Sequence, residues 1–142
     1  MAHVAYAKGK EQMLKGNVIW DDGTAGYIRA MLVKSSYTPN ANTHQYVSDI
    51  SASELVATSY ARQSVTGRTL TINGTVVEID SSNISFGAIG GATNDTIGGL
   101  VFYKYNASDS SALLLFYIDT SPDTLTNGGT VDFTIATFIA SL

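Results

Sequence analysis

Apolar positions in this 142-residue chain fall mostly into short alternating runs separated by turn sequences. A period of two marks β-strands, whose successive side chains point to opposite faces. The first strong run covers residues 27–33, where Ile28, Ala30 and Leu32 alternate with Tyr27, Arg29, Met31 and Val33. Both sets are largely apolar, so both faces of this strand are expected to be covered. Further strands are predicted at 56–62, 68–73 and 76–80, the last two joined by Asn73-Gly74, a strong hairpin sequence. Another short strand starts at 82–86, and long apolar strands follow at 100–105 and 113–119. Residues 131–139 close the series, with Val131, Phe133, Ile135, Thr137 and Ile139 on one face.

Turn chemistry separates these runs. Asp21-Asp22-Gly23, Pro122 and Asn127-Gly128-Gly129 read as turns, residues 37–43 as an ordered loop, and 87–95 as a Gly-rich connection. Only residues 4–14 carry a helical stripe, through Val4, Ala7, Met13 and Leu14, with Gly16 as a stop; an extended arm is the alternative. A helical turn at 51–56 is suggested by Ser51 and Glu54, which have the spacing of a capping box. The pattern predicts an all-β fold, an antiparallel sandwich or barrel-like domain over 17–142, preceded by a short N-terminal helix or arm over 1–16.

Composition narrows the function. Hydrophobic residues make up 44% and charged residues 14%, against about 25% charged in an average soluble domain. That shortfall suggests an exterior partly turned toward protein rather than water. The net charge is −4, and the 8 basic residues are scattered, with only Lys8, Lys10 and Lys15 close together. No nucleic-acid partner and no anionic membrane are therefore expected. The apolar run 112–118 is far shorter than the ~20 residues a spanning helix needs. The start of the chain lacks the apolar core of a signal peptide, which implies synthesis in the cytoplasm. With no cysteine, neither a disulfide nor a thiolate metal site can form.

No constellation of reactive side chains stands out, so no catalytic, cofactor-binding or metal-ligating residue is assigned and no cofactor is expected. His3 lies near the terminus, and His44 sits in a polar loop near Asp49 without a nucleophile-elbow sequence. Asp21-Asp22 precedes Gly23 as a turn would, and Asp119 and Asp123 flank Pro122 without the spacing of a calcium loop. The glycines over 87–99 lack the Gly-Lys-Ser/Thr of a phosphate loop. Asn73, Asn83, Asn94 and Asn106 head glycosylation-type triplets that an Asn/Ser/Thr-rich chain produces by chance. Tyr37, Tyr46 and Tyr60 lie near loops, where a ring could stack on a carbohydrate or sit at a subunit interface.

The order of several phrases resembles a family of small virion proteins of tailed phages. These phrases are Ile28-Arg29-Ala30-Met31-Leu32-Val33, Tyr37-Thr38-Pro39-Asn40 with Thr43-His44, and Tyr46-Val47-Ser48-Asp49-Ile50 with Glu54 and Val56. They continue through Leu70-Thr71, the 80–86 strand, Leu100-Val101-Phe102-Tyr103-Lys104, Leu115-Phe116-Tyr117-Ile118-Asp119 and Asn127-Gly128-Gly129. The ending 136–142 is more apolar than that family's. The resemblance implies a non-enzymatic component of the virion and leaves head and tail positions open. With the sparse charge, it leads to the expectation of a capsid decoration (cement) protein that binds the major capsid protein on the particle surface as a homo-oligomer, a trimer by preference. The alternative is a tail-associated or host-glycan-binding module.

Overall fold

The computed structural model describes residues 3–136 and the backbone of Phe138–Ile139. Its centre is a five-stranded antiparallel sheet in the order β1-β8-β7-β2-β3. The strands are β1 (His3–Ala5), β2 (Ile28–Lys34), β3 (Gln63–Ser64), β7 (Thr96–Lys104) and β8 (Leu114–Leu125). Register pairs Ala30 with Phe102 and Phe102 with Phe116, and likewise Met31 with Val101 and Val101 with Tyr117. Cross-strand partners share a face, so each row runs across β2, β7 and β8.

The row through Phe102 faces one core, where Trp20 meets Phe102 and Phe116 edge-on. The row through Val101 faces a second core, with Tyr6, Tyr37, Val47 and Ile50. Both faces of β2 are buried, as its apolar content on both sides requires. The first core is roofed by two smaller sheets. One comprises β4 (Thr69–Asn73), β5 (Val76–Asp80) and β10 (Phe138–Ile139), and the other pairs β6 (Ile84–Ala88) with β9 (Thr130–Phe133). The second core is closed by residues 37–53, including α2 (Val47–Ile50) and a 3-10 turn at Ser51–Ser53. The fold is all-β and sandwich-like, with the short N-terminal helix α1 (Ala7–Leu14) packed on β8.

Several predicted elements move for identifiable reasons. Residues 3–5 pair with β8 before α1 begins, so the N-terminal segment is both arm and helix. Residues 56–62 form no strand: Val56 N–H is held by the Asp95 carboxylate at 2.9 Å, and Tyr60 turns inward to accept Leu32 N–H at 3.0 Å. The helical turn starts earlier than Ser51, because Asp49 caps it by accepting the N–H groups of Gln45 and Tyr46 at 2.8 and 2.9 Å. Glu54 is committed elsewhere, to Arg62. Pro122 lies within β8 rather than in a separate turn. There Ile97 pairs with Thr124 and Gly99 with Asp119, so 120–123 bulge out of the ladder where no N–H is required. The predicted strand 131–139 breaks after Phe133; Val131, Phe133 and Ile135 do pack on the first core. Thr137 and the side chain of Ile139 lie outside the described residues.

Candidate functional site

Among the described residues, the hairpin of β4 and β5 carries an apolar face that is not used up internally. Register pairs Asn73 with Val76, which leaves Gly74-Thr75 as the loop, and Gly74 has φ +63°. That is the II′ arrangement, with glycine in the first central position; the Asn73-Gly74 signal marks the right hairpin, one residue off the loop. Leu70 stands opposite Ile79 and Ile72 opposite Val77. The other face is polar, and there Asn73 Nδ2 donates to Glu78 at 3.0 Å.

Along the apolar face, Ile79 is fully buried, Leu70 and Val77 are each 41% exposed, and Ile72 is 79% exposed. The core-facing surface of the hairpin therefore runs out beyond the core. Beside it lies a groove of about 220 Å³, walled by Leu70 and Val77 on one side and by Met13, Ile19 and Trp20 on the other. The root of the hairpin is tied down. Arg68 donates to the carbonyls of Trp20 (2.7 Å), Val65 and Asp22, and Trp20 Nε1 donates to the carbonyl of Asp80 at 3.2 Å. Among the described residues, β4 has no strand on its outer side. Its sequence, Thr-Leu-Thr-Ile-Asn, has neither the proline nor the charge that commonly protects such an edge.

Several of the residues weighed for chemistry are held in local structure. His44 Nδ1 accepts from the Tyr37 hydroxyl at 2.9 Å and from Asn40 N–H at 3.2 Å, and the two rings stack. Burial pushes the Tyr37 hydroxyl up to about 12. Asp22 accepts Thr24 N–H at 2.8 Å, and hydrogen bonding from the Thr24 side chain, then from its N–H, holds the carboxyl below the ordinary range. Asp119 accepts Ser121 N–H at 3.1 Å. Asn73 donates to Glu78, while Asn83, Asn94 and Asn106 accept the N–H groups of Ile135, Gly91 and Ser108. Among the described residues, no group of three or more His, Asp or Glu is placed to hold a metal ion, and no helix is long and apolar enough to cross a membrane.

Two of the basic residues near the N-terminus are paired. Glu11 lies between Lys8 (3.0 Å) and Lys15 (2.5 Å), and these partners lower its carboxyl to about 2. The loop tyrosines are likewise engaged. Tyr37 is buried, Tyr46 packs on the first core, and Tyr60 stacks on Phe86 while its hydroxyl donates to Glu54 at 2.9 Å.

One arrangement gave no signal in the sequence. Arg62 grips Glu54 through Nε and Nη2 at 2.7 Å each and Asp109 through Nη1 and Nη2 at 2.8 and 2.9 Å, with its guanidinium over the Tyr103 ring. These residues are too far apart in sequence for spacing to link them. Paired carboxylates on one arginine form a stable clamp with no mobile proton; the partners raise the guanidinium above its ordinary value. No family model matches the chain, and neither a curated protein nor a solved structure matches it.

Proposed function

We propose that this chain is a structural protein of a tailed-phage particle that binds the outside of the assembled capsid as a decoration protein. The exposed apolar face of the 69–80 hairpin carries this reading: on a chain with 14% charged residues, it offers a surface suited to protein rather than water. The ordered phrases that resemble those of small phage virion proteins support it. Several of them are the central strands β2, β7 and β8, so the resemblance falls on the residues that set the fold. The partner is the major capsid protein, and the work is mechanical rather than catalytic. A protein that binds only the assembled lattice stabilises it by mass action.

The test is co-sedimentation of the purified chain with expanded capsid shells and, separately, with tail tubes. Retention on shells, together with a raised temperature of shell disruption, is expected. Retention on tail tubes alone rejects the capsid position, and retention on neither rejects the particle role.

A further inference from the structure

We propose that two copies of this chain pair edge to edge through β4, about a twofold axis at Thr71. This goes beyond the capsid reading and does not depend on it.

The strand is self-complementary in the register centred on Thr71. Ladder pairs alternate between hydrogen-bonded and non-hydrogen-bonded, and the pair that closes a two-residue loop, here Asn73 with Val76, is hydrogen-bonded. Counting back, Leu70 and Ile72 fall in non-hydrogen-bonded pairs with β5, so their N–H and C=O groups turn toward the free edge. An antiparallel second copy centred on Thr71 sets Leu70 against the second copy's Ile72 and Ile72 against its Leu70. The outward backbone groups then meet each other. Leu70 and Ile72 lie on one face of the hairpin, so the same register joins the two apolar faces into a continuous row. A slip by one residue sets leucine against threonine and mismatches the backbone groups.

Charge and area agree with this pairing. No residue from Thr69 to Val77 is charged, and Arg68 falls opposite the second copy's Gly74, so no like charges oppose across the axis. The exposed apolar surface of one hairpin comes from three side chains, Leu70, Ile72 and Val77. A standard interface covers about 800 Å² per partner. A contact this small is expected to give a concentration-dependent dimer rather than an obligate one. A twofold contact uses one patch twice, whereas a closed trimer needs two different patches to meet; β4 supplies the first kind.

The test uses the full chain, whose lack of cysteine makes cross-linking clean. Thr71→Cys places its thiol in a non-hydrogen-bonded pair, with Cα atoms about 4.5 Å apart, within disulfide range. It is expected to form a covalent dimer under mild oxidation, while Thr75→Cys, in the loop, does not. Sedimentation is expected to give a monomer–dimer equilibrium that Ile72→Lys shifts at least tenfold toward monomer, with Trp20 fluorescence confirming that the variant is folded. The proposal is overturned if Thr71→Cys cross-links no faster than Thr75→Cys, if the parent chain is monomeric throughout, or if Ile72→Lys leaves a dimer or trimer unchanged. Shell binding is read separately, so its failure leaves this result standing.

Discussion

The hydroxyl of Tyr6 lies 2.8 Å from that of Tyr37, inside the second core and 31 positions away in sequence. Tyr37 continues the chain to His44 Nδ1, toward which Asn40 N–H also points. With that nitrogen as acceptor, donation runs from Tyr6 to Tyr37 to His44. The contact ties the residue between β1 and α1 to the loop that roofs the second core.

Tyr37→Phe keeps the ring and removes the relay, leaving the buried Tyr6 hydroxyl without its acceptor. A loss of about 1–3 kcal/mol in urea unfolding is expected. The pH dependence has a definite sign. Burial raises both tyrosines, Tyr37 to about 12 and Tyr6 further, while an unfolded tyrosine titrates near ~10. Their contribution is therefore fully present below pH ~10 and lost as pH rises through the folded values. Unfolding midpoints measured between about pH 10 and 12 should fall less steeply for Tyr37→Phe than for the parent. Equal slopes would remove Tyr37 as the source.

The Arg62 clamp holds the segment after the 3-10 turn against the loop between β7 and β8. Arg62→Met keeps much of the packing on Tyr103 but takes the guanidinium from Glu54, whose side chain is only 19% exposed and is left with the Tyr60 hydroxyl. With partial solvent screening, the cost should be about 1–3 kcal/mol. The hydrogen bonds from Arg62 lower the Asp109 carboxyl. Its contribution is thus present above the ordinary carboxylate value and lost as pH falls through the depressed one. Asp109→Asn should flatten the acid limb of the stability profile below pH ~4. An unchanged limb would show that other carboxylates set it.

How much of this was legible depends on whether a residue's role is local. Alternation at Ile28 to Val33 revealed a strand buried on both faces, because periodicity records burial directly. The 76–80 strand came out with its true bounds, since a tight turn and β-branched residues fix it locally. Residues 56–62 read as a strand from composition, yet Asp95 and Leu32 claim their hydrogen-bonding groups from elsewhere in the chain. The clamp of Glu54, Arg62 and Asp109 is tertiary in the same way. The candidate surface was half legible: the hairpin was predicted, but that Leu70, Ile72 and Val77 overrun the core follows only from where the core ends.

Glycine at two positions allows backbones to meet, and alanine there should reverse the usual sign. In a helix interior, Gly→Ala normally stabilises by about 1 kcal/mol. At Gly9 an added Cβ would lie 2.4 Å from the Leu114 carbonyl oxygen, so α1 would have to lift off β8. At Gly98 it would lie 2.4 Å from Ser35 Cα. Each substitution should destabilise by about 1–3 kcal/mol in thermal or urea unfolding. Gly23→Ala, which meets nothing within 4 Å, is the control and should stay within about 0.5 kcal/mol. Stabilisation by Gly9→Ala would mean that the helix is not seated on the sheet as described.

Trp20 couples the exposed hairpin to the core, since its ring meets Phe102 at 5.5 Å and Phe116 at 5.9 Å while Nε1 reaches the Asp80 carbonyl. Trp20→Phe retains an aromatic in the core but withdraws that donor and part of the groove wall. Global stability should drop by about 1–3 kcal/mol. The hairpin should respond beyond this, because the Trp20 donor ties its root beside the grip of Arg68 on the 20–24 turn. Hydrogen exchange is therefore expected to speed up more at residues 69–80 than in β2 and β7, whose protection follows global unfolding. A uniform change across both regions would show that Trp20 acts as core filling alone, and that the hairpin is held without it.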